Sequence, residues 1–258
     1  MEQCLRAGHV DKLALPGLKD DRRPVIAGGL SILYTLASHF GIDALMPARG
    51  ALRQGVVFDL DERRHALELR QDGHDVRDAS VRELQRRFIV DIQQARRVST
   101  VAEHLYASVR PDAGAEARRE LLWACALHEM GMMVSHHDHH RHSAYLLGHV
   151  DAAGFSQSQL KRLGELVLGQ RGGLRKIESN LAQIDFAWQV LCLRLAIIKC
   201  HARGDVDPLV LSLQRNGTVA TLGFTKAWEQ ANPRKLHQFR EEVDAWSRSG
   251  VLRLELGR

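Results

Sequence analysis

The sequence predicts a mainly α protein: a helical bundle preceded by a short α/β segment and followed by a small α+β unit. Three observations predict it. Between about residues 60 and 205, apolar residues recur at helical spacing, bracketed by helix start and stop signals. Ahead of that, the short strand-like run Pro24 to Ala27 passes through Gly28-Gly29 into an apolar helix. After it, the apolar period shortens to that of strands around Asn216-Gly217, a strong hairpin signal. The expected boundaries are therefore residues 1–60, 61–205 and 206–258.

The opening segment, "MEQCLRAGHVDKLALPGLKDDRRPVIAGGL", reaches its first strand signal only at Pro24 and reads like the middle of a domain. A strand entering a helix through Gly28-Gly29 would expose backbone N–H groups at a helix N-terminus, where phosphate binds well. The same pair also reads as nothing more than a tight turn, and the alternative stays open here. A second short apolar run, "GVVFDL", covers Gly55 to Leu60.

In the helical region, Ser80-x-x-Glu83, Asp91-x-x-Gln94 and Ser156-x-x-Gln159 have the form of capping boxes. Ala95, Val98, Ala102, Leu105 and Val109 follow the second at helical spacing, and Pro111 ends that helix. Leu121, Ala124, Cys125 and His128 share one face of the next helix, which points His128 into the bundle. Leu160, Leu163 and Val167 form the apolar face after Ser156. Phe186 to Cys200 is apolar on most sides, the mark of a central buried helix. In the last region, Leu209 to Phe224 reads as two strands, Thr225 to Gly250 as helix broken at Pro233, and Val251 to Leu256 as a strand.

Composition bounds the function. The chain has 258 residues, 45% hydrophobic and 26% charged, which is ordinary for a globular protein of one large or two to three small domains. A net charge of +5 permits acidic partners such as phosphates. Nucleic acid is disfavoured, since there is no reading helix and no basic stripe interleaved with aromatics. Cys4, Cys125, Cys192 and Cys200 form no CxxC pair, and the last three lie in apolar helical patterns as core residues. Without a signal peptide or an apolar run of about eighteen residues, the expected location is the cytoplasm, away from membranes.

The densest chemistry is in "LLWACALHEMGMMVSHHDHHRHSAYLL" (Leu121 to Leu147), where histidines crowd around Glu129 and Asp138. A buried His beside an acid in a helical bundle resembles the HD phosphohydrolase superfamily, whose His and Asp residues hold a divalent metal that activates water. His128-Glu129 stands at its His-Asp pair. The first His of the pattern falls at Arg97 and the last Asp at Ile197, neither of which ligates a cation. Two readings follow. His128, Glu129, His136 and His140 form a substitute metal site, with adventitious zinc or nickel binding to exposed imidazole expected in vitro. Alternatively, His128 and His142 are hydrogen-bonded core residues and the others a solvated turn.

The order of motifs as a whole resembles the C-terminal half of the exopolyphosphatase/guanosine pentaphosphate phosphatase family. The resemblance is carried by Leu15 to Leu33, Gly50 to Leu60, Ala95 to Val98, Leu121 to Leu147 and Asp151 to Leu160. Ala27 departs from a common Pro, and Gln54 from the Arg-Glu-Gly expected after Leu52. The resemblance implies an HD-like, metal-deficient helical domain preceded by a remnant of an actin-like ATPase (ribonuclease H-like) lobe and followed by a small α+β domain. It implies an acid-anhydride hydrolase releasing terminal phosphate from polyphosphate or guanosine polyphosphate, with magnesium ligands outside this chain, and a homodimer. Gly28, Gly29, Arg22 and Arg53 would be the surviving phosphate- or nucleotide-binding residues, and Arg97, Arg141, Arg171 and Arg175 would guide the polyanion. Arg97 could equally pair with Glu129. No catalytic residue is assigned, because the family's catalytic carboxylates lie in lobes of which this sequence keeps only a tail, and the chain alone is expected to be inactive. The alternatives are a non-catalytic polyphosphate-binding or dimerisation module, and a metal phosphohydrolase rebuilt on the histidines.

Overall fold

The computed structural model describes residues 2–46, 53–57, 61 and 75–257. The chain divides into two compact units, Met1–Val57 and Phe58–Arg258.

In the first unit, α1 (Glu2–Ala7) and two 3-10 turns lead to α2 (Arg23–His39), and residues 53–57 are also helical. The expected strand at Pro24 to Ala27 is instead the first turn of α2. A strand needs a ladder partner, and no strand exists among the described residues of this unit; a helix closes its hydrogen bonds internally. Pro24 lies in the first turn, where its missing N–H is not needed. Gly28 and Gly29 are therefore interior helical residues, tolerated at about 1 kcal/mol each relative to alanine. The opening segment, expected as α/β, is helical in all its described elements. Of the run Gly55 to Leu60, residues 58–60 lie outside the described residues. None of the residues of α2 is buried.

The second unit is a bundle of α3 (Val76–Arg87), α4 (Ile92–Val109), α5 (Ala115–Leu127), α6 (His139–Leu147), α7 (Gln157–Gly169), the short α8 (Glu178–Leu181) and α9 (Ile184–Cys200). The central helix α9 packs against α4, α5 and α7, and its positions from Phe186 to Ala196 are all buried. Asp91 caps α4 by accepting from the Gln94 N–H at 2.9 Å. Gln94 does not reach back; its amide donates to the Cys200 carbonyl at 3.0 Å, tying α4 to the end of α9. Ser156 and Gln159 complete a reciprocal capping box on α7.

Ser80 does not cap a helix. Asp75 does so for α3, and Ser80 lies inside α3 with its hydroxyl on the Ala153 carbonyl. The physical reason is Arg77. It is 1% exposed, bonded to Asp75 and Glu116, and stacked 4.3 Å over Trp123. A buried guanidinium requires these partners, and Asp75 supplies the cap and the counter-charge together.

The chain then forms β1 (Leu211–Asn216) and β2 (Val219–Phe224), antiparallel and in register from Asn216↔Val219 to Leu211↔Phe224. Gly217, at φ +61°, adopts the left-handed conformation that the two-residue turn requires. After α10 (Lys226–Ala231) and α11 (Pro233–Ser249), β3 (Arg253–Leu256) adds in parallel to β2. The Leu, Val and Ala core extends into this layer through Trp188, Phe239 and Trp246. Among the described residues no helix is long and apolar enough to cross a membrane.

Arg194 of α9 joins three elements. Its Nε and Nη2 donate to both Glu242 oxygens on α11 at 2.6 Å, and its Nη1 donates to the Gly169 carbonyl at 2.7 Å. Removing one partner of such a buried pair costs about 3–5 kcal/mol. The Glu242→Ala variant is expected to lose that much in urea unfolding, whereas Arg194→Met with Glu242→Leu recovers most of it. A double variant no more stable than Glu242→Ala would contradict the pairing account.

Candidate functional site

The site grows from the end of α5. His128 follows the last helical residue and is buried, with Nδ1 donating to the Cys125 carbonyl at 2.7 Å. This bond fixes the tautomer and leaves Nε2 3.9 Å from Glu129 Oε1. Burial lowers the His128 pKa more than Glu129 raises it. The chain next turns through Gly131. A Cβ there would lie 2.2 Å from the His139 carbonyl oxygen and 2.4 Å from the Ser143 nitrogen, so only glycine permits the approach. Ser143 closes the junction, accepting from the Gly131 N–H at 2.7 Å and donating to the His128 carbonyl at 3.1 Å.

Asp138, at φ +53°, reverses the chain and α6 begins at His139. His136 therefore precedes the helix, and His140 lies in its first turn. The buried imidazoles are His128, His139 and His140, whereas His142, expected in the core, is half-buried. The reason is the helix start: with α6 beginning at His139, its buried face is His139, His140, Ser143 and Leu147, and His142 falls off that face. Burial, then the Lys176 charge, pushes the His140 pKa down to about 4.

Facing this turn is the loop after α7, "RGGLRK" (Arg171 to Lys176). Gly172, at φ +73°, bends it so that Lys176 Nζ donates to the Arg171 carbonyl. The loop and the turn enclose an open pocket of about 670 Å³, lined by Arg141, Arg171, Arg175 and Lys176 together with His136, His137 and His140. The one carboxylate on its wall, Asp138, lies 3.7 Å from Arg141. Burial, then the charges of Arg194 and Arg141, lowers the Lys176 pKa to about 8.

A second cavity of about 590 Å³ adjoins it, sharing His136, Arg171, Gly172 and Gly173. Its walls include His128, Glu129, Gln170 and Ile197. Glu129 is paired with Arg203 at 2.6 Å, and Arg203 also reaches Asp91 at 2.7 Å. The expected alternative pairing of Glu129 with Arg97 is thus replaced by Arg203; Arg97 instead donates to Gln94 at 3.1 Å.

The structure gathers three of the four expected guiding arginines, Arg141, Arg171 and Arg175, at one pocket, and keeps Arg97 apart on α4. In the first unit, Gly28 and Gly29 are inside α2, where their N–H groups belong to the helical ladder rather than to a free N-terminus. Arg22 and Arg53 are exposed there. His128, Glu129 and His136 line the second cavity, while His140 lines the first. Among the described residues no three His, Cys, Asp or Glu side chains converge as a metal ion requires. With Glu129 held by Arg203 and cations on both cavity walls, His128, Glu129, His136 and His140 do not fit a resident divalent metal ion. Sequence reasoning missed Lys176, Gln170 and Arg203. Only Lys176 had a local signal, the basic residues flanking Gly172-Gly173.

The model of the Ppx/GppA phosphatase, domain III, matches residues 76–243. That of the Ppx/GppA phosphatase family matches residues 1–64.

Two outcomes follow from this geometry. Gly131→Ala is expected to destabilise the fold by about 2 kcal/mol or more, read from the denaturant midpoint, because backbone must move; an unchanged midpoint would refute the tight approach. His140 binds its proton near pH 4 folded and near 6.5 unfolded. The unfolded chain therefore takes up the proton first, and stability falls as pH drops from about 6.5 to 4. His140→Gln should flatten thermal stability across that window, and an unaltered slope would remove His140 as its source.

Proposed function

The chain belongs to the Ppx/GppA phosphatase family, a family of hydrolases, and from that premise we propose that its helical unit binds the polyanionic substrate, polyphosphate or a guanosine polyphosphate, in the basic pocket. The observation that carries this reading is the convergence of Arg141, Arg171, Arg175 and Lys176 on one open pocket with a single carboxylate. Fixed guanidinium groups bind phosphate oxygens in pairs, and their charges add over a chain of phosphates. The His140 imidazole on the same wall, its pKa lowered by burial to about 4, is a neutral donor that adds no charge.

Binding and cleavage separate in this reading. The pocket offers no metal-holding carboxylate cluster and no carboxylate free of a cation, so it holds phosphate rather than activating water. Phosphoanhydride cleavage, with magnesium, is assigned to the family's ATPase-like lobes, to which the actin-like character expected of the first unit belongs. The HD-like ancestry proposed for the bundle fits the pair His128-Glu129 beside Ile197, which lines the second cavity as an apolar side chain. The apolar side chains exposed on α2, among them Ile32, Tyr34 and Leu36, favour the proposed self-association.

Binding of long-chain polyphosphate, followed by fluorescence anisotropy, tests the proposal. Affinity should fall linearly with salt on logarithmic axes, as for other polyanions that release counterions. Arg171→Glu should weaken it roughly tenfold or more. Lys176 loses its charge above about pH 8, so affinity should drop as pH rises from 7 to 9, and Lys176→Gln should be weaker but insensitive to pH over that range. Equal binding by wild type and Arg171→Glu would overturn the assignment of the pocket.

A further inference from the structure

Lys176 combines accessibility, crowding by cations and a fixed position in a way that simple anion binding does not use. It is half-buried on the wall of the open basic pocket, so its amine is reachable from solvent. Cations face it from three elements: Arg141 from α6, Arg171 from its own loop and Arg194 from α9. Asp138, from the histidine turn, opposes them. Arg175, His136, His137 and the neutral His140 share the wall. The Lys176 Nζ is held by donating to the Arg171 carbonyl. Burial, then the facing charges, brings its pKa to about 8, so part of the amine is neutral and nucleophilic at neutral pH. A loosened proton alone does not make such a site. Burial also lowers the pKa of Lys199, yet that amine is buried 4.9 Å from the centre of the Trp228 ring.

We propose that Lys176 is a site of covalent acylation by acyl phosphates, whose phosphate the pocket's arginines hold while the Lys176 amine attacks the acyl carbon. The inference rests on the reading of this pocket as a phosphate site. An acyl phosphate carries the two halves that the pocket addresses. Its dianionic phosphate suits Arg141, Arg171 and Arg175, and an activated carbonyl lies directly beside that phosphate.

In the reaction the Lys176 ammonium first gives one proton to water. The Nζ lone pair then forms the N–C bond at the acyl carbon, and the C–O bond to the phosphate breaks. Phosphate leaves with that electron pair and takes up the second amine proton as hydrogen phosphate. The resulting amide carries no charge. Acylation therefore removes a cation from the pocket and weakens its hold on a polyanion.

Quantitative mass spectrometry of the full chain treated with acetyl phosphate tests this. At about pH 7.5, Lys176 should be acetylated roughly tenfold faster than the exposed Lys161 and Lys226, its larger neutral fraction being partly offset by weaker intrinsic nucleophilicity. Its rate should level off above about pH 8, whereas a solvated ammonium gains reactivity up to about pH 10. Inorganic tripolyphosphate should protect Lys176 and leave Lys161 unaffected. Arg175→Gln should slow the reaction of Lys176 several-fold with acetyl phosphate, but not with p-nitrophenyl acetate, which brings an acyl group and no phosphate. Acetylation of Lys176 no faster than that of Lys161, in a chain that binds polyphosphate, would overturn the acylation site and leave the polyanion pocket intact. Selective acetylation by both donors, unprotected by tripolyphosphate and unchanged in Arg175→Gln, would overturn delivery by the pocket and the polyanion reading with it. Lys176→Arg keeps the charge without the nucleophile, so its polyphosphate affinity should survive a treatment that weakens the wild type. An equal loss in both would place the effect at other lysines and overturn Lys176 as its source.

Discussion

The buried guanidinium of Arg194 is the constraint on which the rest of the second unit depends. A guanidinium cannot be taken out of water cheaply unless each of its three nitrogens finds an acceptor. Arg194 finds them on the last residue of α7 and on the carboxylate of α11, elements distant in sequence. The bond to the Gly169 carbonyl fixes the point from which the chain leaves α7, and that exit sets the path of Gln170 to Lys176. Both pockets take a wall from this loop. The arrangement that lets α9 be buried on nearly every side is thus the one that shapes the candidate site.

The electrostatics follow from that placement. The loop brings Arg171, Arg175 and Lys176 opposite the turn that carries His136 and Arg141. Lys176 is close enough to the other cations, and buried enough, to hold its proton only weakly, and the imidazole of His140 is neutral for the same two reasons. Positive charge concentrated without matching carboxylates is costly to the free protein and is relieved by an anion. One step inward the balance changes, because Glu129 and Glu242 meet Arg203 and Arg194 in closed pairs. A cationic outer pocket and a balanced inner cavity thus lie side by side on one loop.

Much of the bundle was legible in the sequence because its signals are local. Asp91, Ser156 with Gln159, and Pro111 mark helix ends through contacts within one turn, and the apolar spacing of α4, α7 and α9 reports their buried faces directly. Asn216-Gly217 located the hairpin for the same reason. Local reasoning failed where a distant partner decided the outcome. Ser80 looks like a cap until Asp75 is drawn to Arg77 and, across the bundle, Arg77 to Glu116. Pro24 to Ala27 has strand composition, but among the described residues of its unit no strand is present to pair with it. Within the site, Arg141, Arg171 and Arg175 were named from the family resemblance, and the structure places them at one pocket. The pairing of Glu129 with Arg203 spans too much sequence for any spacing rule, and the crowding of Lys176 by Arg141 and Arg194 exists only in three dimensions.

The central claim is that polyphosphate lies between the histidine turn and the loop after α7. Amide hydrogen exchange of the full chain, with and without polyphosphate, reads that location directly, because contact and ordering slow exchange where they occur. The account predicts slowing confined mainly to residues 136–141 and 171–176. Slowing elsewhere, with these two segments unchanged, would contradict it.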